Sequence, residues 1–218
     1  MARAMRLDAE QWASVVARAQ AAAIGDAEKA GEPDSLVAAV AQHLVAPVRA
    51  SLVATAGRLG TMTRLTLVDD RALLVTQPMA EQAGETRVDG EVQLVFAKPD
   101  EIWTAIASAL PPLDALRAPA DAAAPSDSVA VAADQVAALL EREQANLQVR
   151  VEAWREATQP AVVWGRLWSV VDDRLLDVRT SEGALKVTER PFGSVAAELQ
   201  WALVGAVDAT AAPSSHDG

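Results

Sequence analysis

The sequence predicts an α+β fold with two pseudo-symmetric halves, each of about four antiparallel strands with flanking helices, sharing one central sheet. Three observations carry this expectation. The first is internal repetition: Thr61–Val75 aligns without a gap onto Trp164–Val178, with Val-Asp-Asp-Arg identical at Val68–Arg71 and Val171–Arg174. Farther on, Asp89-Gly90 faces Glu182-Gly183, and Ile102, Ile106, Ala109 and Leu110 face Val195, Leu199, Ala202 and Leu203. Two separately aligned segments agree, so the chain reads as a duplication. The second observation is period-2 alternation of apolar and polar residues in both copies, the mark of half-buried strands. The third is a helical apolar stripe that closes each copy.

The elements follow in order. Asp8 as N-cap with Gln11 at the third helical position, bracketed by Leu7 and Trp12, is a capping box with a hydrophobic staple. The helix it opens is expected to reach Ile24 and stop at Gly25. A second helix is expected over about Asp34 to Leu44, ended by Pro47. Strands are then expected at Val48–Ala54, about Thr61–Val68, Ala72–Thr76 and Glu91–Ala97, with a helix whose N-cap is Asp100. In the second copy Asp134–Gln144 takes the helical part. Leu147–Ala153, about Ala161–Val171, Leu175–Arg179 and Ala184–Glu189 are the strands, and Gly193-Ser194 opens the last helix.

These elements divide the chain into a first half over residues 1–110, a Pro/Ala-rich linker over 111–128, a second half over 129–209 and a disordered tail over 210–218. The copies differ in length between Gln77 and Asp89, where the first carries a long insertion and the second only a tight turn. A loop of that size is often functional or disordered, and a bland mobile loop is the competing reading.

Composition narrows the chemistry. The chain has 218 residues, a formal charge of -11, no cysteine, and His43 and His216 as its histidines. A disulfide framework is excluded, and the ligands of a zinc or iron–sulfur site are missing, so neither metal nor cofactor is expected. Nucleic-acid binding is disfavoured by the acidic balance, because such affinity rests on clustered Lys and Arg. No run approaches the roughly 18–20 apolar residues of a membrane-spanning helix, and the opening residues are too polar for a signal peptide. The reading is a soluble, cytoplasmic protein without membrane insertion.

Catalytic candidates have plainer explanations. Asp69/Asp70 and Asp172/Asp173 are carboxylate pairs, but Asp favours turns and the flanking runs alternate as hairpin strands. His43 sits among Val40, Leu44 and Val45, the company of a packing residue. No phosphate-binding glycine loop is present. The protein is therefore read as a non-enzyme.

Two surfaces are candidates for protein binding. Trp164, Arg166 and Trp168 share one strand face, and Trp and Arg dominate binding hot spots. The first copy has Thr61, Thr63 and Leu65 there. Core packing is the competing explanation for both tryptophans, and Trp103 and Trp201 are expected in the core. In the insertion, Pro78, Met79 and Val88 offer apolar contacts to a partner.

The chain opens on Met5-Arg6-Leu7-Asp8-Ala9-Glu10-Gln11-Trp12, and in the passages Leu94–Trp103 and Val187–Leu203 a strand runs directly into an amphipathic helix, repeated after the linker. On these residues the layout resembles the EspG family of type VII (ESX) secretion-associated chaperones. The resemblance implies an α+β fold with pseudo-two-fold halves. It also implies a cytosolic chaperone that binds the hydrophobic tip of a helical secretion substrate, a PPE-type protein paired with a PE-type partner, keeping it soluble and directing it to export. No contact residue is carried over from the family, so the site rests on the two surfaces above. The alternatives are an immunity or adaptor protein, a sheet scaffold that forms a homodimer, or a small enzyme using the Asp pairs.

Overall fold

The computed structural model describes residues 3–30, 34–82, 85–88, 90–122, 129–130, 132, 135–156, 159–181 and 184–211. The chain starts with a strand, β1 (Arg3–Leu7), and turns at Asp8 into helix α1 (Ala9–Ala23). The Asp8 carboxylate accepts from the Gln11 amide at 2.7 Å, and the Gln11 side chain accepts from the Asp8 amide at 3.1 Å. Two donors that a first turn leaves without partners are thereby satisfied. A single turn, α2 (Ala27–Ala30), leads to α3 (Ser35–Leu44), capped by Asp34, whose carboxylate accepts from Val37 N–H at 2.8 Å. That hydrogen bond, with Arg18 nearby, holds the Asp34 carboxyl below its usual range.

The first run of strands is β2 (Val48–Ala56), β3 (Leu59–Val68), β4 (Arg71–Gln82), β5 (Glu85–Val88) and β6 (Val92–Ala97). A 3-10 turn containing Asp100 precedes α4 (Ile102–Ala109), and the one-turn helix α5 (Asp114–Arg117) follows. The second run comprises β7 (Val129–Ala130), α6 (Val136–Leu140), β8 (Glu143–Glu156), β9 (Gln159–Val171), β10 (Arg174–Ser181), β11 (Ala184–Arg190) and α7 (Ser194–Thr210).

Among the described residues, eleven strands form one antiparallel sheet in the order β1-β6-β4-β3-β2-β8-β9-β10-β11-β7, with β5 added to the far end of β4. β5 aside, the order reads the same inward from either edge: first strand, fifth, fourth, third, second. The halves meet at β2 and β8, paired from Val48↔Ala153 to Thr55↔Asn146. Alternation sorts the side chains. Val48, Ala50, Leu52 and Ala54 face one layer, as do Leu147, Val149 and Val151 of β8, and all are buried under α4, α5 and α7. The opposite face carries α1 and α3 over Leu73, Val92 and Leu94, and α6 over Val171, Leu176 and Val178.

Both Asp-Asp pairs are hairpin turns, between Val68↔Arg71 and Val171↔Arg174. Asp69 (φ 51°), Asp172 (φ 50°) and Asp173 (φ 59°) adopt the left-handed conformation, whose twist suits a tight hairpin and which Asp tolerates better than most side chains.

Three expectations are revised. The insertion is largely a β-hairpin arm: β4 continues to Gln82 and pairs with β5 from Met79↔Val88 to Gln82↔Glu85. Part of the expected linker packs on the core, where α5 buries Leu116 completely; residues 123–128 lie outside the described residues, as do 212–218 of the expected tail. The expected helix at Asp134–Gln144 is the five-residue α6, and β8 begins at Glu143 because Asn146 and Ala145 already pair with β9. Among the described residues no helix is long and apolar enough to cross a membrane, and no group of three His, Asp or Glu is placed to hold a metal ion.

Candidate functional site

Strand β9 places Trp164, Arg166 and Trp168 on the face covered by α7, opposite Val151, Val149 and Leu147 of β8. Their environments differ sharply. Trp168 is fully buried in the main core, its ring 6.0 Å from that of Trp164. It has no surface to offer a partner, which corrects the expectation that all three form a contact face. α7 lies across β8 and β9 and encloses it.

Trp164 and Arg166 remain at the margin of α7. The Arg166 guanidinium stacks over the Trp164 ring at 5.1 Å and donates from Nε to Glu198 at 3.2 Å. Glu198, on α7, also accepts from Arg190 of β11 at 2.7 Å. One carboxylate thus ties the helix to two strands. Beside it Arg179 pairs with Asp177, a buried carboxylate, and that hydrogen bond raises Arg179 above its ordinary value. Trp164, Arg166, Arg179, Arg190 and Glu198, with Ala197 and Trp201, line a cavity of about 380 Å³.

The larger apolar surface is on α7 itself. Trp201, Val204 and Val207 are 72%, 61% and 46% exposed, while Val195, Leu199, Ala202, Leu203 and Ala206 pack into the core. Large apolar residues clustered in water mark a surface meant to be covered. Next to this crest, between α7 and α4, runs a groove of about 440 Å³ lined by Leu67, Ile102, Trp103, Leu203, Val204 and Val207. Asp69, Arg71, Pro99, Gln200 and Asp208 complete its wall. An apolar floor with a polar rim is the anatomy of a protein-binding site.

The hairpin arm is elsewhere. Pro78 is exposed, Met79 is 8% exposed and lies over Gly60, and Val88 is described only by its pairing with Met79. Strands β3, β2 and β8 separate β4 from β9, so the structure does not bring the arm and the Trp164/Arg166 corner together.

Sequence reasoning put Trp201 in the core and passed over Val204 and Val207. The signal was available: at about 100° per residue, Trp201 and Val204 fall roughly opposite the stripe of Val195, Leu199, Ala202 and Leu203. Three of the catalytic candidates make structural contacts. Asp172 pairs with Arg142 at 2.6 Å, the Asp173 amide donates to Gln144 at 2.9 Å, and His43 is buried with Nδ1 2.9 Å from the Thr66 hydroxyl.

No protein-family model matches the sequence, and no curated protein matches it. Among solved structures, the chain is similar to the Mycobacterium tuberculosis type VII secretion system chaperone EspG5, determined in complex with a PE25-PPE41 dimer. The alignment covers 95% of this chain and 96% of that one, with TM-score 0.54 and 8% sequence identity. A 12:0-ACP thioesterase from Umbellularia californica aligns over 87% and 92% of the two chains at 11% identity, with a TM-score of 0.18. What this chain shares with EspG5 is the α+β fold built on one large antiparallel sheet.

Proposed function

We propose that the protein is a non-enzymatic chaperone that captures the hydrophobic tip of a helical secretion substrate of the PE/PPE kind, keeps it soluble in the cytoplasm and directs it to a type VII system. The observation that carries the reading is the exposed apolar crest of Trp201, Val204 and Val207 beside the α4/α7 groove. The fold likeness to a chaperone solved with a PE25-PPE41 dimer supports it. Trp164 and Arg166 extend the surface on the other flank of α7, where a rigid aromatic and a guanidinium held by Glu198 are already ordered before a partner arrives. Preorganised side chains lose little entropy on binding. The net charge of -11 keeps such a carrier soluble while it displays apolar surface.

Co-expression tests the reading. Helical-hairpin substrates encoded beside the gene should be soluble with this protein, insoluble without it, and should co-purify as a complex. A dimer of this chain that forms through α7, disappears in Trp201→Ser, and leaves the substrates insoluble overturns it in favour of a homodimeric scaffold.

A further inference from the structure

The face of the sheet opposite α4 and α7 is covered at its sides, by α1 and α3 over one half and α6 over the other. Between them, over the middle of β3, β2, β8 and β9, no helix of the described residues lies on the strands. Four strands about 4.8 Å apart give a floor roughly 15–20 Å wide, room for one helix of about 10–12 Å diameter.

The floor is organised by register. Ser51 of β2 lies between Arg64 of β3 and Arg150 of β8, and Arg150 is opposite Gly165 of β9. The middle of the row is therefore small and its flanks are cationic. One pair along, Arg49 faces Glu152. A cavity of about 380 Å³ sits over these residues. Arg150 pairs with Glu152, and Arg49 donates to the Leu44 and Ala46 carbonyls at 3.1 and 3.0 Å. Arg64 has no ion pair or hydrogen bond among the described residues. Three arginines thus stand with one carboxylate in a chain whose formal charge is -11. On the β9 side, Val163 and Leu167 are 54% and 38% exposed.

We infer that this trough docks an acidic amphipathic helix of a second protein, whose carboxylates pair with Arg64 and Arg150 while its apolar stripe covers Val163 and Leu167. Charge complementarity selects the partner: a local cationic strip on an acidic protein attracts an acidic segment and repels a basic one. The trough lies across the sheet from the α7 crest, so the two occupants do not compete.

The probe is a fluorescein-labelled amphipathic peptide of about 20 residues, long enough to cross the sheet as a helix, with a Glu face and a Leu stripe. Its Lys-for-Glu counterpart is the control, and fluorescence anisotropy is the readout. The Glu peptide should bind and the Lys peptide should not, and binding should weaken as NaCl rises from about 50 to about 300 mM. Arg64→Glu with Arg150→Glu should lower affinity about tenfold or more. Arg64→Gln alone, which leaves the Arg150–Glu152 pair in place, should lower it severalfold without shifting the melting temperature. Trp201→Ser should leave it unchanged, which separates this proposal from the chaperone reading. Equal binding of the Lys peptide, undiminished binding by both Arg variants, or no binding of the Glu peptide overturns the inference. Displacement of the peptide by equimolar inorganic phosphate also overturns it, by making the trough a small-anion pocket.

Discussion

Replacing Trp201 with Ser separates a binding surface from a core. A tryptophan buries roughly 150–250 Å² when covered; at 72% exposure, about 110–180 Å² is still open on this residue. At about 25 cal/mol per Å², covering it contributes about 3–4.5 kcal/mol. Association also orders side chains and desolvates polar groups, so that figure is a ceiling, and the expected loss of affinity for a captured substrate is about 30- to 100-fold. Folding stability should change by no more than about 0.5 kcal/mol, because little of the ring is packed. Trp168→Ala supplies the contrast. That ring is fully buried, so its removal should destabilise the fold by about 3–5 kcal/mol. The assays are calorimetric titration of the substrate and thermal unfolding followed by circular dichroism, on both variants. The reasoning is refuted if Trp201→Ser binds like the parent protein, or if its unfolding midpoint falls as far as that of Trp168→Ala.

Other expectations are more local. Leu116→Ala, within the stretch that composition marks as a linker, should cost about 2–5 kcal/mol in urea unfolding, because Leu116, on α5, is fully buried in the main core. Gly60→Ala places a Cβ 2.8 Å from the Ala54 carbonyl oxygen, so it should lower stability by about 1–3 kcal/mol, read as a reduced melting temperature. Burial lowers the His43 pKa from 6.5, so the folded protein resists a proton that the unfolded chain accepts. His43 therefore contributes stability above that pH, and the contribution is lost as pH falls from about 6.5 toward the lower folded value. Unfolding midpoints measured across that range should decline on the acid side, and less so in His43→Phe.

The sequence revealed what depends on neighbours along the chain. The Asp8/Gln11 capping box, the hairpin turns at Asp69-Asp70 and Asp172-Asp173, and the alternation of Leu147 to Ala153 are all local, and all are present. β1 and β7 escaped notice because each is short and is defined by a distant partner, β6 and β11. Pro78 hid the length of β4, since proline is excluded from central strands. It is accommodated because Gln77 and Pro78 fall in the gap between the β6 and β5 pairings, where one side of the strand needs no donor. For the site, periodicity grouped Trp164, Arg166 and Trp168 correctly on one face. It did not say that α7 would lie over Trp168 and leave Trp201 in solvent, because a shared face is a property of one segment and burial is a property of two.

The palindromic strand order has a consequence for how the protein is made. The seam of the sheet joins β2, complete at Ala56, to β8, which begins at Glu143. At synthesis rates of about 5–20 residues per second, β2 emerges some 5–20 seconds before its partner. During that interval β2 of the nascent first half is paired on one side only, with β3, and its β8-facing edge is a template for pairing with any neighbouring chain. Until β8 emerges, the ribosome-bound intermediate therefore carries an edge that needs protection.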